Sequence, residues 1–413
     1  MSIPSQLCHP SANVPDQTGQ GATLVAPKID SLQNGAVPHD LVTCIGQVGP
    51  VEAFRAEVAK GGFTVSIVIA TYNRPVGLQS LLIDLCAQDC GANTFEVVVV
   101  DDESRTAVTL GAADNAVATQ QHGTLPFGLR LYRRTNGGPG VARNTGINEA
   151  HGEVIVILDD DMHIGPGFLR AHQELHRNGA TVVLGNIQTP RDGTLALFER
   201  FHMNTLDKFV AAVGRGEPVV EGARLCTGNV SFRRLAYQRV GGFDTTLRRC
   251  EDRDLGIRFE LAGESIVFGE AAVSEHHSDH SDSETWRKRN RLYGELDAKI
   301  AAKHPKLTKV SPWAFLAQLP KAATPVGILS ALIPQLGNAG GFVAYRAAQW
   351  LDRRSKTAAA VKLTGLSYGL DYYAGVGVAF GSPRRAIHVL RSYQDFRNTP
   401  TNETATAVER KDN

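Results

Sequence analysis

The sequence predicts an α/β fold in which a mostly parallel, mixed sheet is flanked by helices and followed by a helical C-terminal region. Short runs rich in Val and Ile, the pattern of strands buried on both faces, recur at residues 64–70, 95–100 and 154–158. Segments with apolar residues three and four apart alternate with these runs. Such alternation is typical of parallel strands joined by right-handed crossovers.

The first strand–helix–strand unit lies between residues 64 and 100. The strand at 64–70 (TVSIVIA) is followed by a short loop, and Pro75 then stands where a first helical position favours proline. Leucines at 78, 81, 82 and 85 give the predicted helix one apolar face. The second strand at 95–100 (FEVVVV) ends at two aspartates, so we expect two parallel strands with polar residues at the end of each.

The remaining elements of the sheet region follow the same alternation. We expect a helix from the glycine-rich loop at 136–140 to about 150, a further one at 168–178 and a short one at 234–240. Strands are expected at 129–132, 154–158, 182–185, 226–232 and 265–268. The stretch between 186 and 225 shows no regular period.

Length and composition indicate a globular protein of more than one unit. The chain has 413 residues, of which 42% are apolar and 21% charged, which excludes collagen-like, coiled-coil and wholly disordered classes. We expect a disordered leader at 1–40, a lead-in segment at 41–62 with a short helix near 50–60, and a sheet domain at 63–283. A basic helical region at 284–397 and a disordered tail at 398–413 complete the expected organisation.

The charge of the chain is unevenly spread. The net charge is +1, but residues 287–397 contain eighteen Lys and Arg against five Asp and Glu. Between 322 and 345 no residue is charged, a length that would span a bilayer, although two prolines and a Gly–Gly pair favour two short helices. Basic residues beside apolar helices indicate peripheral contact with an anionic membrane, the alternative being a helical cap with a solvated basic face. No nucleic-acid-binding module is present.

Cysteine usage indicates a reducing compartment. Six cysteines occur and none forms a CxxC pair, a pattern that fits scattered reduced thiols in a cytoplasmic protein.

Polar clusters follow three of the predicted strands, at 71–74, at Asp101–Asp102 and at 159–161. Open α/β sheets bind ligands beyond the carboxyl ends of their strands. Carboxylates there can accept hydrogen bonds from a base or ribose and can hold a hard divalent cation that bridges phosphates. The alternative is helix capping by Asp, which explains a single Asp better than three in succession, because three carboxylates repel unless a cation compensates.

Three further segments carry candidate chemistry. The loop at 136–140 opens a helix and resembles an anion cradle, with Arg143 and Asn144 near the helix start, unless these two belong to a solvated face. Glu251 and Asp252 precede an apolar helix, where a carboxylate suits a general base or, alternatively, complements the helix dipole. Three histidines between 276 and 280 offer imidazole ligands to a metal, although a lone His is usually structural.

These motifs, in this order, resemble the family 2 glycosyltransferases of the GT-A fold over about residues 64–285. The segments that carry the resemblance are VSIVIATYNRP, VVVVDDES, GGPGVARNTGI, VILDDDM, GNVSFRR, VGGFD and CEDRDLGIRF. The resemblance implies that the sheet domain is a GT-A-like, nucleotide-sugar-binding catalytic domain. Glu103 stands where the family often has Gly.

The resemblance also implies roles for individual residues. Asp102 with Tyr72 would contact the base, and Arg143 the phosphate or ribose side. The donor-nucleotide group comprises Ala70, Tyr72, Arg74, Asp102, Arg143, Asn144, Asp159 and Asp160. Asp252 would be the catalytic base, with Glu251 beside it. The metal ligands would be Asp161, as first choice, with Asp159 and His276 or His277, while the register within 159–161 stays open by one residue.

The reaction implied is inverting transfer of a sugar from a nucleoside-diphosphate donor, a UDP-sugar by default, to a hydroxyl of a glycan or lipid-linked acceptor. Mn²⁺ or Mg²⁺ is the implied cofactor. Two alternatives stay open. A nucleotidyltransferase would normally show a glycine-rich loop after the first strand, where this chain has ATYNR, and a catalytically silent nucleotide-sugar-binding scaffold would have lost Asp252.

Overall fold

The computed structural model describes residues 42–91, 94–109, 125–190, 195–277, 282–305, 307–318 and 323–398. The leader expected at 1–40 and nearly all of the tail expected at 398–413 lie outside these residues. Two compact units divide the described chain. We call the unit formed by residues 42–190 and 203–277 the sheet unit, and the unit formed by 195–202 and 282–398 the helical unit.

Within the described residues, the sheet unit contains one nine-stranded mixed sheet. Its strands are β1 (Val42–Val48), β2 (Val65–Thr71), β3 (Phe95–Asp101), β4 (Gly128–Arg134), β5 (Val154–Asp159), β6 (Met162–Ile164), β7 (Val182–Gln188), β8 (Asn229–Arg233) and β9 (Ile266–His276). The spatial order is β1-β4-β3-β2-β5-β8-β7-β9-β6. The four central strands β4, β3, β2 and β5 are parallel, which confirms the predicted fold class.

Helices join these strands. They are α1 (Val51–Ala59), α2 (Pro75–Cys86), α3 (Pro139–Glu149), α4 (Phe168–Arg177), α5 (Leu197–Gly214), α6 (Arg234–Arg239) and α7 (Glu251–Leu261). The division between the two units falls within α5. Pro75 and Pro139 each open a helix, as the fixed φ of proline favours.

The central strands are buried on both faces because each face carries its own apolar core. Ile67 and Ile69 belong to the core that includes the leucines of α2, whereas Val68 belongs to the core that includes Ala142 and Ile147 of α3. This alternation follows from the two-residue period of a strand. The continuous Val and Ile runs that predicted the strands therefore reflect burial on both sides.

The helical unit consists of α8 (Ser283–Lys303), α9 (Thr324–Leu332), α10 (Pro334–Asp352), α11 (Thr357–Phe380) and α12 (Pro383–Asn398). α11 is its central helix, and α8 lies against it so closely that a Cβ on Gly375 would meet the Arg291 carbonyl oxygen at 1.8 Å. Within the uncharged stretch at 322–345, residues 324–332 form α9 and residues 334–345 form the first part of α10, the pair of helices predicted. None of the helices in the described part of the chain combines the length and apolar character that a bilayer span requires.

Several elements differ from the sequence prediction, and two of them, the strands β1 and β6, were not expected at all. The irregular stretch between 186 and 225 contains the 18-residue helix α5, and the predicted strand at 265–268 extends to His276. β9 runs on because its second half pairs with β6 and with the end of β7, contacts that no local pattern reveals. The expected helix near 50–60 is present as α1.

Candidate active site

The carboxyl ends of β2, β3 and β5 lie level with one another at one edge of the sheet. Ala70 pairs with Val100 on one side and with Asp159 on the other, and Thr71 pairs with Asp101. Because these strands are parallel and in register, the polar clusters that follow them gather at the same edge.

A single buried guanidinium joins the acids at 159 and 251. Arg143 of α3 donates from Nη2 to Asp159 Oδ1 over 2.7 Å and from Nη1 to Glu251 Oε1 over 2.6 Å. All three side chains are at most 3% exposed. Burial disfavours the charge, but Asp159, Glu251 and Asp252 outweigh it and raise the pKa of Arg143. The structure therefore brings the acid at the end of β5 and the acidic start of α7 to opposite ends of one side chain.

The start of α7 is fixed by unusual backbone geometry. Cys250 has φ +57°, in the left-handed region, and Glu251 and Asp252 form the first helical turn, both buried. Asp252 Oδ1 accepts a hydrogen bond from the Arg253 amide over 2.7 Å. Further along the helix, a Cβ on Gly256 would lie 1.9 Å from the Gly222 carbonyl oxygen. α7 therefore packs directly against the turn at Gly222–Arg224, and this contact fixes the position of its acidic N-terminal end.

Asp160 is turned towards β2. Its Oδ2 accepts a hydrogen bond from Thr71 Oγ1 over 2.6 Å, and its Oδ1 lies 3.5 Å from Arg74 Nη1. Burial, together with the neighbouring charge of Asp161, raises the pKa of Asp160 to about 8. A neutral Asp160 relieves the repulsion expected among three consecutive carboxylates.

Asp161 faces the last residue of β9. Its Oδ2 lies 3.3 Å from His276 Nε2 and also accepts a hydrogen bond from Arg74. Burial opposes ionisation, but His276 and Arg74 outweigh it and lower the pKa of Asp161 to about 2. The His277 amide donates to the Asp161 carbonyl oxygen over 3.1 Å, but its side chain points elsewhere, with its ring 4.3 Å from that of His163. Of the two histidines predicted from the sequence, only His276 is brought to the acids.

The acids fit a divalent cation shared with a ligand. Asp159 Oδ2 and Asp161 Oδ1 are buried and have no hydrogen-bond partner. Among the described residues, no group of three or more His, Cys, Asp and Glu is arranged to hold a metal ion. Mg²⁺ is commonly bound by one or two protein carboxylates together with phosphate oxygens of a substrate. Asp161 and His276 supply such a partial set of ligands.

Asp102 holds the glycine-rich loop. Its carboxylate accepts hydrogen bonds from the amides of Gly137, at 3.1 Å, and Gly138, at 2.9 Å, and pairs with Arg134 Nε at 3.1 Å. Burial nevertheless raises the pKa of Asp102. The amides that the sequence suggested as an anion cradle thus bind a carboxylate of this chain. Glu103 has φ +68°, so it adopts the left-handed conformation that favours Gly.

Asn144 links α3 to the segment before α7. Its amide nitrogen donates to the Phe243 carbonyl over 2.9 Å, and its oxygen accepts from the Phe243 amide over 3.0 Å and from the Tyr237 hydroxyl. Arg143 and Asn144 are therefore both engaged within the protein, which excludes the alternative of a solvated helix face. Tyr72, just after β2, is half-buried.

Sequence reasoning gave no individual role to three residues of this site. Thr71 orients Asp160, Tyr237 supports Asn144, and a Cβ on Gly228 would lie 3.7 Å from Asp159 Oδ2. Thr71 carried a signal, since it directly follows the predicted strand. Tyr237 and Gly228 reach the site through packing of distant segments, which no local pattern records.

Two family models match the part of the chain that builds this site. The model described as glycosyl transferase family 2 matches residues 66–240, and the model described as glycosyl transferase family group 2 matches residues 154–348. Together the two matches span residues 66–348, and this part of the chain is a glycosyltransferase family 2 domain. The first match begins in β2 and includes both Asp159 and Arg143.

Two curated glycosyltransferases are similar to parts of this chain. The pre-mycofactocin glycosyltransferase of Mycobacterium tuberculosis is 29% identical over 285 residues, 65% of this chain and 55% of that protein. The GalNAc(5)-diNAcBac-PP-undecaprenol β-1,3-glucosyltransferase of Campylobacter jejuni is 26% identical over 132 residues, 32% of this chain and 40% of that protein. The chain thus spans about half the length, or less, of these two curated relatives.

A solved structure has the same fold. The mannosyltransferase PcManGT of Pyrobaculum calidifontis, in complex with GDP-Man and Mn²⁺, superposes with a TM-score of 0.51 at 20% identity. The similarity covers 76% of this chain and 86% of the mannosyltransferase. At this level of identity the comparison establishes the GT-A fold.

Proposed function

We propose that this chain is an inverting, metal-dependent glycosyltransferase that moves a sugar from a nucleoside diphosphate to an acceptor hydroxyl. The observation that carries the proposal is the bridge made by Arg143. The Arg143 guanidinium binds Asp159, which lies next to the candidate metal ligands, and also binds Glu251, which precedes the candidate base. The groups that would bind a donor diphosphate and the group that would deprotonate an acceptor hydroxyl are therefore neighbours.

Asp252 is the proposed general base. It would take the proton of the acceptor hydroxyl while the oxygen forms a bond to the anomeric carbon from the face opposite the leaving group. The bond from that carbon to the diphosphate oxygen breaks, and the electron pair leaves with the diphosphate, so the configuration inverts. Base catalysis of this kind contributes about 10²- to 10⁴-fold. Glu251, engaged by Arg143, would fix the helix turn that presents Asp252.

Asp161 and His276 would hold the divalent cation, Mn²⁺ or Mg²⁺, with Asp159 as a further carboxylate. When bound, the cation supplies Lewis-acid neutralisation of charge on the departing diphosphate. Arg74 and Thr71 orient the acids from the end of β2. The presence of Mn²⁺ with GDP-Man in the fold neighbour agrees with this assignment.

The donor nucleotide would lie along the ends of β2 and β3. Ala70, Tyr72 and Asp102 are the proposed contacts of the base, and Arg74 and Asp160 are proposed to lie near the ribose and phosphates. The contact of Asn144 and of Arg143 with the nucleotide stays a prediction, since both side chains are bonded within the protein. We propose a UDP-sugar as the first donor to test and a GDP-sugar as the second.

The acceptor is proposed to be a glycan or a lipid-linked sugar. One relative is named for an acceptor carried on undecaprenol diphosphate, and the basic character of residues 287–397 fits such a substrate. We also propose a cytoplasmic protein that meets the membrane peripherally.

The test is turnover of a donor panel by the purified chain. We expect release of nucleoside diphosphate from one UDP- or GDP-sugar with Mn²⁺ or Mg²⁺, and loss of release with a chelator. Asp252→Asn should abolish release while donor-induced thermal stabilisation is kept, since ligand binding raises stability by mass action. Asp161→Ala should instead remove the metal-dependent part of that stabilisation.

The matched control is Asp89→Asn, which removes a carboxylate from a surface ion pair with Arg170. Its turnover should equal that of the parent. An Asp252→Asn protein that keeps most of its rate contradicts the base assignment. Donor binding without any turnover favours the silent nucleotide-sugar-binding scaffold. Release of pyrophosphate from a nucleoside triphosphate and a sugar phosphate favours the nucleotidyltransferase.

A further inference from the structure

The outer face of α9 and α10 is apolar, where a helix surface in water is normally polar. Twelve large apolar side chains in the described part of the chain are strongly exposed. Seven of them fall in one 25-residue stretch of the helical unit, residues 326–350. These seven are Val326, Leu329, Ile333, Leu336, Phe342, Val343 and Trp350. A concentration of this kind on one surface marks an interaction site rather than scattered exposure.

The exposed residues of α10 share one face of the helix. They fall at three- and four-residue spacing and are Gln335, Leu336, Ala339, Phe342, Val343, Arg346 and Trp350. The opposite face is buried and carries small residues, including Gly337, Gly341 and Ala348. The inner face of α10 is therefore used in the core of the helical unit, and the outer face is left to solvent.

Cations surround this face and acids are absent from it. From 322 to 351 the sequence contains no Asp or Glu, and Arg346 is its only charged residue. At the end of α10 the Arg354 guanidinium lies 3.6 Å from the centre of the Trp350 ring. Trp beside a cation at the end of an apolar helix face is typical of the boundary between lipid head groups and acyl chains.

A cleft of about 540 Å³ opens beside Phe342 and Arg346. Arg287 and Arg291 of α8 also line it, and both pair with the buried carboxylate of Asp371, at 2.8 and 3.2 Å. Glu284 also lines the cleft, and its carboxylate pairs with Lys288 at 2.9 Å. Arg287 and Arg291 share the Asp371 carboxylate, so one positive charge is left over there, and Arg346 adds a second. A pocket with excess guanidinium charge suits a phosphate group.

We propose that the outer face of α9 and α10 docks on an anionic phospholipid bilayer, with a lipid phosphate in the arginine-lined cleft. The apolar side chains would enter the boundary between head groups and acyl chains while the flanking arginines contact anionic head groups. A second copy of the chain is the less suitable occupant. In a symmetric dimer the same patch would face itself and bring Arg346 and its cationic neighbours together.

The test is sedimentation of the full chain with vesicles of phosphatidylcholine alone and with vesicles that also contain phosphatidylglycerol. We expect binding to the anionic vesicles that weakens with salt, because surface charge attraction is screened. The variant Leu336→Ser/Val343→Ser should lower the partition coefficient by about tenfold or more, since binding scales with buried apolar area. Arg346→Gln should lower binding to the anionic vesicles selectively.

The matched control is Leu235→Ser/Leu261→Ser, which removes two apolar side chains that are 68% and 53% exposed in the sheet unit. This control should bind vesicles like the parent, and all variants should keep the parent's thermal unfolding midpoint. Equal binding to neutral and anionic vesicles overturns the assignment to an anionic bilayer. Absence of vesicle binding, or a dimer that the Leu336→Ser/Val343→Ser variant dissociates, overturns membrane docking.

Discussion

Asp159 and Glu251, 92 positions apart in the chain, bind opposite ends of the Arg143 guanidinium at 2.7 and 2.6 Å. Each carboxylate is buried, so each depends on this side chain for charge compensation. The pair connects the edge of the parallel sheet to the start of α7. Any movement of Arg143 therefore changes the distance between the proposed metal ligands and the proposed base.

Arg143→Lys should separate positioning from charge. Lysine keeps the positive charge but cannot donate two hydrogen bonds in a planar fork, so we expect it to lose either Asp159 or Glu251. Turnover should fall by about 10²-fold, because small misplacements of reacting groups cost that much. Arg143→Ala should destabilise the fold by about 3–5 kcal/mol, since it leaves buried charges unpaired. Turnover assays and denaturant unfolding check both results.

Arg130→Lys is the matched control for that experiment. Arg130 is also buried and binds Glu96 through two nitrogens at 3.1 and 2.7 Å, but Glu96 lies at the opposite end of β3. Its replacement should lower stability and leave the rate of the folded protein unchanged. Equal rate losses in both variants would show that Arg143 acts only through stability.

Asp102→Asn should loosen the glycine-rich loop. Asparagine has one acceptor oxygen, so it cannot hold the Gly137 and Gly138 amides and the Arg134 side chain together as the carboxylate does. Hydrogen exchange at the two glycine amides should accelerate, and donor affinity should drop. Glu103→Gln is the control, because glutamine can still accept from the Asn136 amide. Unchanged exchange at Gly137 and Gly138 would contradict this role.

Gly256→Ala should displace the start of α7. The new Cβ would meet the Gly222 carbonyl oxygen at 1.9 Å, so the helix must shift, at a cost of about 1–3 kcal/mol. Turnover should fall with stability, because Asp252 lies in the first turn of the same helix. Gly214→Ala, near the end of α5, has open space around its Cβ and should be neutral or slightly stabilising. A Gly256→Ala protein with the stability of the parent would refute the close approach.

Acid should destabilise the protein through two buried histidines. Burial lowers the pKa of His172 to about 3 and that of His176 to about 4, while an unfolded imidazole titrates near 6.5. The unfolded chain therefore binds more protons as pH falls from about 6.5 towards 4, and each such proton lowers stability by about 1.4 kcal/mol per pH unit. This cost is absent above about pH 6.5.

The measurement is the free energy of unfolding between pH 7 and about 4.5. His172→Gln/His176→Gln should flatten its dependence on pH, whatever the variant's stability at pH 7. His388→Gln changes an exposed residue of α12, so the free energy of unfolding of this variant should depend on pH as that of the parent does. A double variant with the parent's slope would exclude these histidines as the acid-sensitive groups.

Much of the sheet unit could be predicted from local pattern. The strand predicted at 64–70 is Val65–Thr71, and the one predicted at 95–100 is Phe95–Asp101. Both are buried on two faces, so their sequences are apolar throughout and easily recognised. β1 was missed because it is an edge strand paired only with β4, and most of its residues face solvent.

The two histidines illustrate how an error in one element affects a site. Because β9 was expected to end near 268, the alternation of side chains along a strand gave no basis for choosing between His276 and His277. The strand reaches His276, whose partner across the ladder is Met162. Adjacent residues at a strand end point to opposite sides, so one imidazole meets Asp161 and the other meets His163.

The sequence by itself determined the fold class, most strands and helices of the sheet unit, and which acids and arginines stand at element ends, because burial and backbone geometry constrain residue types locally. Tertiary structure alone decided that Arg143 joins Asp159 to Glu251, that Asp160 turns to Thr71, and that the outer face of α10 remains exposed. These outcomes depend on contacts between residues far apart in the chain. Their energies arise only when the whole fold fixes distance and orientation, so no local pattern encodes them.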